Sequence, residues 1–191
     1  MRSNGGKFIK MTQKEFFNRA TNSKKDIIQE FLSTLEDLHI DYCVIGGIAI
    51  NAYCEPIVTL DFDCVIVSEE IENLRTILKE KGFKVKRHLF TLEVTSPYSD
   101  IRIHIQLDKR YQEFLKNAKE KEVLGYKMRV ADIKDILIGK IWAYEDETRA
   151  PLKREKDLLD IKRIIEKFPE LTNILPEELR KLTKRYEESG N

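Results

Sequence analysis

The sequence lacks any apolar run near the roughly 20 residues that a membrane-spanning helix needs, so we expect no membrane partner. Its first ten residues carry charges but no hydrophobic signal-peptide core. We therefore expect a cytoplasmic protein whose residues 1–22 form a leader of uncertain order. Neither sign of charge dominates, because 34 Lys and Arg accompany 33 Asp and Glu. This balance gives no support to a globally basic nucleic-acid-binding protein.

Cysteine is scarce as well. The three cysteines, Cys43, Cys54 and Cys64, are an odd number and lack the spacing of metal ligands. Cys43 and Cys64 lie within apolar stretches and are typical of small buried hydrophobic residues in a reducing compartment. We expect neither a disulfide nor a zinc site.

Hydrophobic periodicity divides the chain into strands in the middle and helices at both ends. Helical spacing predicts helices over 27–39, 48–53, 69–81, 111–121, 133–144, 151–168 and 177–186. Asp132 is predicted to cap its helix in a capping box with Asp135. Strands are predicted over 42–45, 59–67, 83–88, 92–95 and 100–108, with a strand or hairpin over 123–130. This order predicts an α+β core over 23–130, followed by helices over 131–191 in the same domain or a small subdomain.

The strand over 59–67 carries two carboxylates on one face. Leu60, Phe62, Cys64 and Ile66 alternate with Thr59, Asp61 and Asp63. Side chains at i and i+2 of a strand lie roughly 6–7 Å apart, so Asp61 and Asp63 can reach one hard divalent cation, or two neighbouring ones. A solvated strand edge is the competing interpretation, although Asp is disfavoured in an otherwise apolar strand.

Two adjacent glycines precede that strand. Gly46 and Gly47 lie between a predicted strand and a helix start, where exposed backbone amides suit a phosphate group. An ordinary tight turn is the alternative. The glycine pair and the carboxylate pair together are more specific than either alone, since the intervening helix lets the chain return to the same edge.

These residues also resemble a known family. The segments 45–49 (IGGIA) and 59–63 (TLDFD) are similar to the Gly-Gly and Asp-x-Asp motifs of the nucleotidyltransferase superfamily, most of all its minimal prokaryotic branch that includes AbiEii- and MenT-type toxins. The likeness continues over 130–140, at Arg149 and Lys153, and over 156–161. It implies the nucleotidyltransferase fold, a small mixed twisted sheet flanked by helices with a C-terminal helical segment.

The resemblance also implies an activity, the transfer of a nucleoside monophosphate from a nucleoside triphosphate to an acceptor. The acceptor would be an RNA end such as that of tRNA, a protein or a small molecule, and a toxin-like member would have an antitoxin partner. Mg²⁺ or Mn²⁺ would be the cofactor, with Asp61 and Asp63 as its ligands. The implied triphosphate site comprises Gly46, Gly47, Thr59 and Lys153, and the implied catalytic residues are Asp61, Asp63, Lys140 and Asp157.

Two of these residues have a competing structural role. Lys140 lies inside the apolar stripe of its predicted helix, where a lysine either reaches into a cleft or extends its ammonium group to solvent. Asp157 lies nearer the apolar face of the last long helix than Asp160 does. It is expected either to contact the site or to form an i, i+4 salt bridge with Lys153.

The sequence departs from the family at two positions. His104 stands where active members usually carry a third carboxylate, and a neutral imidazole favours softer metals than magnesium. Asp108 shares the polar face of that strand but lies about 13 Å further along it. His104 and Asp108 are therefore alternative metal ligands, with a surface histidine as the structural alternative. Ile57 replaces a frequent basic residue.

Two competing functions follow from these departures. The first is a non-catalytic protein of the same fold that binds a nucleotide or a partner, which His104 favours. The second is an RNA-binding module that uses a basic helix and no nucleotide site. The residues of that basic helix are Lys153, Arg154, Lys156, Lys162 and Arg163.

Overall fold

A computed structural model describes residues 10–188 of the chain. Its helices are α1 (Gln13–Ala20), α2 (Ile27–Asp37), α3 (Gly46–Ile50), α4 (Ile71–Glu80), α5 (Phe114–Asn117), α6 (Ile133–Glu145), α7 (Pro151–Lys167) and α8 (Glu177–Glu188). Its strands are β1 (Tyr42–Ile45), β2 (Asp61–Ile66), β3 (Lys84–Arg87), β4 (Thr91–Thr95), β5 (Arg102–Gln106), β6 (Lys119–Val123) and β7 (Tyr126–Val130). Short 3-10 helices cover Ser68–Glu70, Lys109–Glu113 and Pro169–Ile174.

The strands form one mixed sheet of seven, in the order β3-β4-β5-β2-β1-β7-β6. Strands β1 and β2 at the centre are antiparallel, while β2 pairs with β5 and β1 with β7 in parallel. The two edges are antiparallel hairpins, β3-β4 and β6-β7. Because β2 lies between β1 and β5, the polar residues of these three strands come together in space.

The alternation predicted for the second strand is present in the fold. Phe62 and Cys64 are fully buried, and the Phe62 ring packs edge-on against Phe31 of α2 with centroids 5.9 Å apart. Asp61 and Asp63 point to the opposite face and keep partial exposure. The strand is shorter than predicted, and Leu60, which lies before it, is 38% exposed rather than part of the core.

Two local predictions were wrong. The predicted helix over 111–121 ends at Asn117, and residues 119–121 belong to β6, which pairs with β7 through a turn at Leu124 and Gly125. The capping box at α6 is absent. Asp132 accepts a hydrogen bond from the Lys134 amide, but Asp135 instead accepts one from the Asn117 side chain.

The segment before residue 23 contributes a helix that the sequence analysis did not predict. Thr12 and Glu15 close a capping box at the start of α1, and Phe17 is 1% exposed. The predicted leader over 1–22 therefore includes a packed helix, while residues 1–9 lie outside the described part of the chain.

The burial of two cysteines agrees with the apolar stretches in which they lie. Cys43 and Cys64 are buried, Cys54 is half-buried, and all three thiols are free. Burial raises the pKa of the Cys43 thiol to about 12. None of the described helices is both long and apolar enough to cross a bilayer.

Candidate active site

The glycine turn lies directly against the second aspartate of β2. Register in the β1-β2 ladder places Asp63 opposite Ile45, and α3 starts at the next residue, Gly46. Gly46 has a φ of +69°, and a Cβ at this position would lie 2.3 Å from Asp63 Oδ2. Only glycine combines this left-handed conformation with so close an approach. The turn and the carboxylate therefore form one unit.

Asp61 carries an oxygen that accepts no hydrogen bond from the described residues. Its Oδ1 atom is buried and lies 2.8 Å from Arg102 Nη2, but that ion pair lacks the geometry of a hydrogen bond. The Asp61 amide donates to Thr59 Oγ1 at 3.3 Å, and Thr59 in turn lies against Gly47. Thr59 thus connects the glycine turn to the first aspartate.

His104 occupies the neighbouring position on β5, opposite Asp63. Its Nδ1 lies 3.3 Å from Asp63 Oδ1, and its Nε2 lies 3.8 Å from Glu93 Oε2 on β4. The hydrogen bond with Asp63 raises the pKa of His104, although partial burial opposes the increase. An imidazole with carboxylates on both sides favours the protonated form. The imidazole stands where a third carboxylate was expected, between Asp63 and Glu93.

Asp108 is not brought to the site. It caps the 3-10 helix at Lys109–Glu113, where its Oδ1 accepts from the Arg110 amide at 3.0 Å. Its Oδ2 binds the Arg110 guanidinium at 2.7 Å and 2.9 Å, which lowers the pKa of the carboxyl. The structure therefore does not support Asp108 as a substitute for the missing acid, because a local cap uses both of its oxygens.

Helices α6 and α7 form the opposite wall. Lys140 Nζ lies 2.9 Å from Asp157 Oδ1 and 2.7 Å from Asp160 Oδ2, and Arg149 Nε donates to Asp157 Oδ2 at 2.6 Å. Burial by itself would lower the pKa of Lys140, but the two aspartates raise it, so the ammonium stays charged. The alternative considered for Asp157, a salt bridge with Lys153, does not form, because its two oxygens bind Lys140 and Arg149 instead.

Two further lysines of this wall have no such partner. Lys153 and Lys156 line the cleft, and neither forms an ion pair or a side-chain hydrogen bond within the described residues. Arg154 donates to the Tyr144 carbonyl, and Arg163 binds Asp160. The basic helix of the sequence analysis thus has two cations directed at the cleft, with two others used in packing.

Together these walls enclose a cleft of about 340 Å³. It is lined by nine of the ten residues predicted for the site: Gly46, Gly47, Thr59, Asp61, Asp63, His104, Lys140, Lys153 and Asp157. The sequence analysis did not select Glu93, which also lines it. Polar residues alternate with buried Leu92 and Val94 on β4, and this period of two was the available signal.

The donor set fits a hard cation held jointly with a substrate. Among the described residues, no group of three or more His, Cys, Asp or Glu side chains is arranged to hold a metal by itself. Asp61 and Asp63 supply carboxylate oxygens, and one of these oxygens has no hydrogen-bond donor in the described part of the chain. Magnesium is commonly bound by one or two carboxylates together with substrate phosphates, and this pair suits that mode.

Comparison with solved structures gives the fold its name. The solution structure of the antibiotic-resistance factor ANT(2'')-Ia aligns with 85% of this chain and 92% of its own, at 14% identity and a TM-score of 0.59. The chain has the nucleotidyltransferase fold. The nucleotidyltransferase fold is also shared with the lincosamide antibiotic adenylyltransferase LnuA, at 14% identity, 75% and 99% coverage and a TM-score of 0.52.

A third similar structure is an antigenic nucleotidyltransferase-like protein from Paracoccidioides brasiliensis, at 21% identity, 73% and 74% coverage and a TM-score of 0.52. At identities this low, the structural similarity establishes the nucleotidyltransferase fold alone. It confirms the fold class predicted from the sequence. No protein-family model and no curated protein sequence matches the chain. The narrower resemblance to the AbiEii- and MenT-type branch stays a prediction.

Proposed function

We propose that this chain is a metal-dependent nucleotidyltransferase, which moves a nucleoside monophosphate from a nucleoside triphosphate to an acceptor. One observation carries the proposal. Asp61 and Asp63 share a cleft with a glycine turn on one side and with Lys153 and Lys156, which lack anionic partners within the described residues, on the other. A ligand that binds to both walls must place negative charge next to the lysines and next to a cation bound by the aspartates.

Asp61 and Asp63 would hold Mg²⁺ or Mn²⁺. When bound, such an ion neutralises phosphate charge and favours in-line displacement at phosphorus. The glycines at 46 and 47 let the turn pack against Asp63 and Thr59, and the backbone amides of this turn would bind phosphate oxygens. Lys153 and Lys156 would bind the triphosphate and offset the charge of the departing pyrophosphate.

The reaction balances without any further co-reactant. An acceptor oxygen forms a bond to the α-phosphorus, the bond from that phosphorus to the bridging oxygen breaks, and pyrophosphate leaves. The acceptor proton is released to the site or to solvent. Lys140 and Asp157 would act by fixing α6 to α7, which holds Lys153 and Lys156 over the aspartates.

Label transfer tests this function. The protein is incubated with labelled nucleoside triphosphates, Mg²⁺ or Mn²⁺, and three acceptor pools: total tRNA, a protein extract and small hydroxyl compounds. Asp61→Asn or Asp63→Asn keeps side-chain size but removes the charge, and we expect at least about a 100-fold loss of transfer. Asp37→Asn, at an exposed position of α2, is the matched control. Transfer that survives both cleft variants would refute the proposal.

His104 favours a second candidate, a nucleotide-binding protein that does not catalyse transfer. Its imidazole binds Asp63 at the position where an additional acid was expected. This candidate predicts that nucleotide with metal raises the melting temperature while no label is transferred. It also predicts that His104→Asp gains transfer activity. If the parent chain itself transfers label, the second candidate fails.

The physiological role is proposed from the resemblance alone. A toxin-like enzyme in the cytoplasm, with tRNA as acceptor and an antitoxin partner, would arrest growth when it is expressed alone. The Asp63→Asn variant should then be tolerated. Growth arrest by both versions would show that toxicity does not depend on the cleft.

A further inference from the structure

One face of the outer sheet lies beside the cleft and is covered by polar side chains. Strands β3, β4 and β5 follow β2 at this end of the sheet. We call their cleft-facing side the outer-strand platform. Three rows cross it: Arg102, Thr95 and Lys84; His104, Glu93 and Lys86; Gln106, Thr91 and His88. The middle row continues from Asp63, so the platform starts at the candidate metal site.

The opposite side of the same strands is the buried one. Ile103 and Ile105 of β5, with Leu92 and Val94 of β4, are at most 1% exposed. Arg87 alternates with Lys86 and therefore leaves on that other side, where it binds Glu72 of α4 at 3.0 Å. The polar rows thus form the solvent-facing side of a sheet whose other side is buried.

Two lysines of the platform have no anionic partner among the described residues. Lys84 and Lys86 are exposed, and neither forms an ion pair within the part of the chain that the structure describes. Arg102 is 51% exposed even though it approaches Asp61. The one carboxylate of these three rows, Glu93, lies next to His104, with its Oε2 atom 3.8 Å from His104 Nε2. The outermost strand therefore offers charge that complements a polyanion.

Exposed apolar groups stand at the end of the platform. The turn between β3 and β4 holds Leu89, which is 81% exposed, and Phe90, which is 58% exposed. The residues on either side of them, His88 and Thr91, line the cleft. Basic side chains beside an exposed aromatic ring are the combination that binds single-stranded nucleic acids, through phosphates and base stacking.

We propose that the outer-strand platform binds a single-stranded nucleic acid and presents its terminal hydroxyl to the aspartate pair as the acceptor. This rests on the proposed function for the acceptor role. Strands about 4.8 Å apart put β3 roughly 14 Å from Asp63, so Lys84 and Lys86 contact phosphates upstream of the terminal nucleotide. Glu93, between them and Asp63, accepts from base amino groups rather than facing phosphate.

Binding is measured by fluorescence anisotropy with a 12-nucleotide strand labelled at its 5′ end, as RNA and as DNA of the same sequence. The Lys84→Ala/Lys86→Ala double variant should bind at least 10-fold more weakly at 50 mM salt. The slope of log K against log salt should fall by about 1.4, because each lost phosphate contact contributes about 0.7 for single strands. Lys79→Ala/Lys81→Ala, an equal loss of charge on and just after α4, should bind within twofold of the parent.

Phe90→Ala separates stacking from charge. It should weaken binding at least fivefold and leave the salt slope unchanged, since stacking releases no counterions. The proposal fails if the parent binds neither strand, or if both lysine double variants weaken binding equally. A difference between the RNA and DNA arms shows which strand the platform prefers.

The two proposals fail in different ways. In one outcome, the parent chain binds neither strand, and both it and the Lys84→Ala/Lys86→Ala variant transfer label to a small hydroxyl compound. This outcome refutes the platform and supports the enzyme. Strand binding that depends on Lys84 and Lys86, with no transfer to any acceptor, supports the surface as a binding site and refutes the enzyme. If the double variant no longer transfers label to the strand but still transfers it to a small hydroxyl compound, both proposals are supported.

Discussion

Gly46 is a site residue whose replacement the backbone conformation and the neighbouring Asp63 both oppose. Its left-handed backbone costs about 1–2 kcal/mol for a residue with a Cβ, and that Cβ would also collide with Asp63. We expect Gly46→Ala to lower the unfolding free energy by more than this strain alone. We also expect it to abolish the rise in melting temperature that the proposed function predicts for nucleotide with metal. Denaturant unfolding and thermal shift measure the two effects.

Gly82 provides the matched control for that variant. It also has a positive φ, +87°, but no atom of the residues that the structure describes lies within 4 Å of a Cβ built there. Gly82→Ala should therefore show the backbone cost with nucleotide stabilisation intact. Equal effects of the two substitutions on nucleotide binding would show that the contact between Gly46 and Asp63 does not shape the site.

The thiols give a prediction at the same scale. Burial raises the pKa of Cys43 to about 12 and holds that of Cys64 well above its usual value, so almost no thiolate of either residue exists at pH 8. Cys54 is half-buried, and burial raises the pKa of its thiol as well. Ellman's reagent at pH 8 should modify at most one thiol of the native protein, and Cys54→Ser should remove that reaction. Rapid modification of more than one thiol would contradict this burial.

Residues whose role depends on strand alternation could be predicted, and residues whose role depends on distant partners could not. The period of two in the sequence is enough to place Asp61 and Asp63 on one face of a strand. Sequence spacing offers Lys153, four residues away, as a salt-bridge partner for Asp157. Its oxygens instead bind Lys140 and Arg149, which lie outside α7. Local spacing cannot rank such partners, because the choice is made by how α6 packs on α7.

At the scale of elements, the contact between α6 and α7 depends on a buried charge network. Lys140 is 12% exposed and lies between Asp157 and Asp160, which are 2% and 6% exposed. Removing one partner of such a group leaves buried charge uncompensated and costs about 3–5 kcal/mol. We expect Lys140→Met to lower the unfolding free energy by that amount, as measured by denaturant titration.

Lys134→Met is the control on the same helix. Lys134 is exposed and its side chain makes no polar contact within the described residues. It should change stability by less than about 0.5 kcal/mol, as surface substitutions usually do. A small effect at Lys140 as well would mean that the aspartates are solvated or protonated when the lysine is removed.

Element boundaries were predictable where the periodic pattern was long. The helices α6 and α7 begin and end within one or two residues of their predicted limits. The helix predicted over 111–121 was wrong in its last turn, since residues 119–121 pair with β7 in an exposed edge strand of alternating Lys and Glu. Such a strand carries little hydrophobic signal, so only the tertiary pairing reveals it.

Over the whole molecule, the predicted boundary near residue 130 crosses a shared core. Trp142 of α6 stacks on Phe114 with centroids 5.8 Å apart and meets Tyr111 edge-on at 5.4 Å. The Tyr53 hydroxyl donates to the Ala131 carbonyl at 2.8 Å. The candidate site also needs both segments, because its aspartates precede residue 130 and its lysines follow it.

These contacts predict that the core and the C-terminal helices unfold together. The chain has a single tryptophan, so fluorescence reports the packing of Trp142 on the segment around Phe114, while far-UV circular dichroism reports all the secondary structure. Since coincident transitions by different probes are the mark of two-state unfolding, the two signals should share one midpoint in urea. A fluorescence midpoint clearly below the circular dichroism midpoint would show that residues 131–191 form a separate subdomain. In that case the helices that carry Lys153 and Lys156 would separate from the aspartates before the sheet unfolds. Nucleotide should then raise the fluorescence midpoint more than the circular dichroism midpoint.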